Sequence, residues 1–215
     1  MPTRTDAEEH LRIIRSLMEK ATIYRAISAP TALVGGVASI IAACALSAVL
    51  LPRSEPMERQ RLIFLAGWLT VLAITAAANT WFLWRDARRR GDVFLSAGMR
   101  AAVRAFSPSY LAAAFFTVLM AKCPELLPPV WMLFYGLGLL ATQHFAPRSI
   151  ALLGWAFLAA GPLLIVSDVT GIFETLGVIR HGNLALGATF GLFHLIYAAC
   201  TWPRRARGAD AGTTP

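Results

Sequence analysis

The sequence predicts an all-α polytopic membrane protein with six transmembrane helices, an N-terminal amphipathic surface helix and a short cytoplasmic interfacial helix. Three observations carry that fold class. The first is composition: 57% of the 215 residues are apolar and 15% are charged, where a soluble domain carries about 25% charged residues. The second is a set of six long apolar runs, each close to the ~20 residues that cross ~30 Å of hydrocarbon. The third is the stretch Trp84-Arg85-Asp86-Ala87-Arg88-Arg89-Arg90, continued by Arg100 and Arg104. An Arg at the bilayer centre costs ~2.5 to 3.5 kcal/mol, so carrying the four-Arg cluster across would cost roughly 10 kcal/mol. This loop stays cytoplasmic, and every apolar run must alternate around it.

Residues 1–28 open with Thr5-Asp6-Ala7-Glu8, a capping-box arrangement in which Thr5 and Glu8 can satisfy each other's backbone donors. Leu11, Ile14, Met18 and Ala21 then recur at helical spacing, opposite Arg12, Arg15, Glu19 and Lys20. The pattern predicts an amphipathic helix over 6–27 on the inner membrane surface, as an anchor for the first span or a dock for a cytosolic partner. These 28 residues carry nine charged groups and no uninterrupted apolar core, so the expectation is insertion through the first span rather than a cleaved signal.

The six runs fall at about 30–51, 62–84, 107–122, 128–146, 149–167 and 183–202 within a transmembrane domain of residues 29–203. Pro30, Pro108, Pro128 and Pro129 stand where a helix can begin without a missing hydrogen bond, and Ser107 and Asn183 are read as caps. Pro147 and Pro203 stop the fourth and sixth runs. Trp81, Trp84, Trp131 and Trp202 fall at expected interfaces. Between the second and third runs, Val93, Phe94, Ala97 and Ala101 share a face over 92–105, which predicts the interfacial helix, held by anionic headgroups at ~1 kcal/mol per nearby Arg. Residues 167–182 are expected to fold back onto the outer interface, and 204–215 to form a disordered cytoplasmic tail.

With both termini inside, 15 of the 20 basic residues are cytoplasmic, and the outer segments balance five bases with five acids. The whole net +8 then lies on the inner side, as the positive-inside rule requires, and the expected location is a bacterial inner membrane. The same asymmetry accounts for the pI near 10.3 without a nucleic-acid partner.

Among residues that carry chemistry, the sixth run stands out. Asn183, Gly187, Gly191, His194 and Ala198 recur every three or four residues, placing them on one stripe. Gly187-x-x-x-Gly191 admits a neighbouring backbone, and His194 is expected in that contact. An ionisable side chain within a span is costly enough to need a partner or a role. Thr75, Asn79, Thr117 and Gln143 are the expected hydrogen-bond partners, and His194, Asn183, Asn79, Thr75, Gln143 and His144 the candidate ligand-binding set. His144 and His194 differ in depth by roughly 9 Å at 1.5 Å per residue, which sets them apart from a shared haem iron. Asp168, Glu174, Arg180 and His181 form a candidate outer rim or a solvated charge network. Pro162 is expected to weaken the fifth helix.

Cys44, Cys123 and Cys200 show no metal or redox spacing, and the two within spans read as packing residues. Motifs of serine hydrolases, zinc proteases and phosphate-binding loops are missing. The sequence therefore points to a bundle that binds or moves a small apolar or weakly polar molecule, without catalytic residues, metal or cofactor. Two other readings stand beside it: a subunit of a larger membrane complex, and a haem- or quinone-bearing redox protein.

Overall fold

The computed structural model describes residues 8–14, 28–49, 56–91, 94, 97–144, 146–170 and 178–202. Among them there is no strand, and six helical stretches are long and apolar enough to cross a membrane. The helices are α1 (Ala29–Val49), α2 (Met57–Arg90), α3 (Ala97–Leu119), α4 (Leu127–Ala141) entered by a 3-10 turn at Pro124–Leu126, and α5 (Arg148–Val169). The last stretch is α6 (Val178–Leu186), a π-helical segment (Gly187–Phe193) and α7 (His194–Thr201), in unbroken succession. Residues 8–14 are helical and exposed. Most of the expected surface helix, the outer segment 171–177 and the tail from 203 lie outside the described residues.

The bundle has an apolar core and an apolar exterior. Phe64, Trp68, Met132, Phe157 and Leu186 are buried, while Leu111, Phe115, Val118, Leu152, Leu163 and Val169 are exposed. Such an outside suits acyl chains, and lipid then supplies no hydrophobic drive for helix association, so close packing must hold the helices together. Glycine makes that approach possible where α4 crosses α5. A Cβ on Gly136 would come within 2.7 Å of the Gly154 carbonyl oxygen, a distance no side chain tolerates. On the other side of the bundle, a Cβ on Gly187 would lie 2.5 Å from Ala43 Cβ and one on Gly191 2.6 Å from Ile40 Cγ1, both on α1. The small-residue motif of the sixth run thus serves the contact its spacing implies, with α1 as the partner. The α3 helix packs chiefly on α4, through Phe106 and Tyr110 near Gly138 and through Thr117.

Several boundaries differ from the sequence reading, each for a local reason. The arginine stretch expected as a loop is the last two turns of α2, which runs 34 residues, roughly 51 Å at 1.5 Å per residue. Arg85 and Arg88 lie over the Phe82 and Trp84 rings, at 5.2 and 4.4 Å from the centroids, so the aromatic belt holds the cations in helical register. The helix ends at Gly91, whose φ of 69° is left-handed and whose N–H returns to the carbonyls of Ala87 and Arg88.

The interfacial helix and the third span are one helix, because Pro108 lies inside α3 rather than at a start. Proline removes the N–H that would bond the Arg104 carbonyl; the Ser107 hydroxyl donates to that carbonyl instead, at 3.2 Å. Ser107 is therefore a repair within a helix and caps nothing. The fourth helix starts four residues early, on Pro124, and ends at Ala141, where Thr142 turns its hydroxyl onto the Leu139 carbonyl. Pro147 then opens α5 rather than closing α4. Asn183 is interior to α6 and caps no helix. Cys44 and Cys200 face outward and are exposed, as is Cys123.

Candidate functional site

The π-helical segment decides where the sixth stretch points its polar groups. A π turn holds one residue more than an α turn, so side chains beyond it are displaced by about 100° around the axis. Gly187 and Gly191 therefore face α1, whereas His194 faces α4 and α5. The single stripe read from the spacing is split in two. Two side chains bond carbonyls one turn back along this segment. Thr189 Oγ1 donates to the Ala185 carbonyl at 2.8 Å, and His194 Nδ1 bonds the Phe190 carbonyl at 2.8 Å.

The second bond settles the histidine's tautomer. A carbonyl only accepts, so Nδ1 carries the proton and Nε2 offers a lone pair. The Tyr135 hydroxyl on α4 lies 2.6 Å from Nε2 and donates to it. Both nitrogens of a neutral imidazole are thus engaged. The pair is enclosed by rings: Phe157 on α5 lies 4.7 Å from Tyr135 and 5.6 Å from His194, centroid to centroid. Phe190 stacks nearly parallel to the imidazole at 6.1 Å, Phe193 stands edge-on to Phe157, and Tyr110 reaches in from α3. Within the seam, the Tyr135 oxygen keeps one lone pair for an incoming molecule, and the Tyr110 phenol stands beside it. The rest is aromatic surface. This chemistry suits an apolar or weakly polar guest.

None of the four partners expected for His194 reaches it. Thr75 donates to the Val71 carbonyl and packs on Gly35 of α1. Asn79 lies partly exposed on α2. Thr117 accepts from Trp131 Nε1 at 2.8 Å, and the Trp131 ring stacks on Phe64. Gln143 and His144 follow the end of α4 on an exposed turn. Nor does Asn183 join the seam. It precedes His194 by eleven residues, roughly 16 Å along the axis, and its Oδ1 accepts from Trp68 Nε1 at 2.8 Å.

The haem reading fits this donor arrangement poorly. His194 Nε2 is occupied by Tyr135, and His144 stands on the exposed turn beyond α4. Among the described residues no three His, Cys, Asp or Glu side chains gather as metal ligands.

Of the four residues read as a rim, the structure brings Asp168 and His181 together, with His181 Nε2 at 3.3 Å from Asp168 Oδ1 and 3.3 Å from Ser167 Oγ. Glu174 and the side chain of Arg180 lie outside the described residues. Serine, histidine and aspartate here do not make a nucleophilic triad. Both oxygens address the same nitrogen, whereas a triad needs the carboxylate on Nδ1 and the hydroxyl on Nε2. Ser167 moreover donates its proton to the Leu164 carbonyl at 2.7 Å. The cluster ties the end of α5 to the start of the sixth stretch.

Tyr135, Phe157 and Trp68 escaped the sequence reading. A phenol and an indole deep in apolar runs were open signals, since each buried O–H or N–H requires a partner. Compared with protein-family models, with curated proteins and with solved structures, the chain matches none of them.

Proposed function

We propose that this protein binds, and passes across an inner membrane, a small apolar or weakly polar molecule held in the seam between α4, α5 and the sixth stretch. The observation that carries the reading is the Tyr135–His194 pair, enclosed by Phe157, Phe190 and Phe193 beside a π-helical segment. π segments concentrate at functional sites, and an ionisable group at membrane depth marks a substrate path more often than lipid-facing surface does. The pair orients the guest and the rings supply its contact area. Catalysis is not part of this reading, because no residue of the seam is placed as a nucleophile or free base.

Its setting completes the proposal. Both termini face the cytoplasm, the exposed helical residues 8–14 lie on the inner headgroups, and the arginines from Arg85 to Arg104 engage anionic lipid there. The test is retention and thermal shift in mild detergent with a panel of hydrophobic molecules, followed by transport in vesicles. Wild-type protein gains stability with a subset of the panel, and His194→Ala and Tyr135→Phe lose that gain while remaining folded. A folded His194→Ala protein that responds like wild type to every molecule would remove the reading.

One observation favours a second reading, a subunit of a larger membrane assembly. The outward face of α3 exposes Leu111, Phe115, Val118 and Leu119 on a helix that packs chiefly on one neighbour. Under this reading a membrane partner covers that face, the 6–27 helix or the arginine stretch docks a cytosolic protein, and both co-purify in stoichiometric amount. A monomer carrying only a retained small molecule favours the first reading.

A further inference from the structure

The outer part of the sixth stretch carries an amide that the bundle leaves half satisfied. Asn183 is fully buried. Trp68 Nε1 donates to its Oδ1, and since an indole nitrogen only donates, that bond fixes which side of the amide is oxygen. Nδ2 points elsewhere, and it is buried with no hydrogen-bond partner. Among the described residues three other side-chain atoms share this condition, Arg61 Nε and Arg85 Nε on α2 and Ser47 Oγ on α1, and of these Ser47 Oγ is the uncharged one. Hydroxyls on these helices commonly donate to the carbonyl one turn back, as Thr75, Thr117, Thr189 and Thr201 do. Ser47 departs from that habit.

Helix register places the two atoms at one level. Gly191 faces Ile40 and Gly187 faces Ala43, so the numbers rise on one helix as they fall on the other, and one further turn on each reaches Ser47 and Asn183. On the adjoining side, Gly67 of α2 abuts Leu46 of α1, which brings the neighbouring Trp68 to the same level. A hydroxyl, an amide and an indole from three helices thus stand at one level. Each bare buried polar group would cost about 1–3 kcal/mol, and two at one level invite a shared partner.

We propose that the Ser47–Trp68–Asn183 junction is a receptor for a single oxygen atom, which accepts from Asn183 Nδ2 and pairs with Ser47 Oγ. The oxygen belongs to a buried water or to the hydroxyl or carbonyl of a small neutral molecule. It is neutral because the three side chains that form the junction carry no charge to balance an ion in the apolar interior. A water with two or more polar partners is a normal structural element of such sites. The receptor stands apart from the aromatic seam and does not rest on the function proposed for it.

The test is the sign of a stability change. If Ser47 Oγ holds the oxygen, Ser47→Ala removes a partner and lowers Tm by roughly 2–4 °C; if Oγ is simply bare, alanine relieves a burden and Tm stays or rises. Ser47 is the better site to change, because Asn183→Ala also strips the acceptor from Trp68 and can prevent folding. A density map resolving ordered solvent shows an oxygen within reach of both atoms. Native mass spectrometry separates the sources: retained organic mass identifies a small molecule, and ordered density without it identifies water. A Tm for Ser47→Ala at or above wild type overturns the proposal. So does a map in which Ser47 Oγ bonds Asn183 Nδ2 or its own helix with nothing between.

Discussion

At the scale of single residues, the seam depends on one hydrogen bond. Tyr135→Phe keeps the ring contacts with Phe157 and Phe190 and removes only the hydroxyl that donates to His194 Nε2. The unpaired nitrogen is then left among aromatic rings, and unfolding in detergent is expected to show a loss of about 1–2 kcal/mol. Adding His194→Phe to that variant should cost less than the two changes measured separately, because the second no longer breaks a bond. Additive losses would show that the pair is not coupled. His194 was legible in the sequence, since an imidazole within an apolar run has few innocent explanations. Its partner was legible only as a buried phenol in need of an acceptor; which acceptor depends on the π segment, which turns His194 toward α4. The same segment explains why Asn183 and His194, spaced as if on one stripe, serve different neighbours.

At the scale of helices, two glycines make opposite tests. Gly136→Ala drives a methyl group against the Gly154 carbonyl oxygen and the Leu158 nitrogen, at 2.7 and 2.9 Å; neither backbone atom can yield, so the α4–α5 crossing opens at a cost of about 1–3 kcal/mol. Gly91→Ala meets nothing within 4 Å, and its cost is the left-handed backbone alone, about 1–2 kcal/mol. Thermal unfolding of both, together with cysteine cross-linking between α4 and α5, separates them: only Gly136→Ala should lower the cross-linking yield. Ser107→Ala should destabilise α3 with Pro108 present and have little effect beside Pro108→Ala, where the Arg104 carbonyl regains its N–H. Equal effects in both backgrounds would deny the repair. The number of helices could be read from hydropathy, because apolar length is what a bilayer measures. Their ends could not, because Pro108 was read as a start with Ser107 as its cap, and the arginines after Trp84 as a loop without the rings beneath them.

At the scale of the whole chain, the proposed topology makes a direct prediction. A reporter inserted after Pro56 should be external and one after Gly91 internal, and replacing Arg88, Arg89 and Arg90 with Glu should mix the two orientations, because the charge bias that sets them is reduced. Clean retention of one orientation would assign the bias to other segments. A difference in fastening among the helices bears on how the molecule comes apart. The sixth stretch touches α1 through two glycines and reaches α4 and α5 through its rings, whereas α3 leans on α4 along one side only. Drawn upward from the C-terminus by a single-molecule tether, such a fold resists in two stages. The sixth stretch, α5 and α4 give way at high force, and α3, its one close neighbour gone, follows at low force as a separate step.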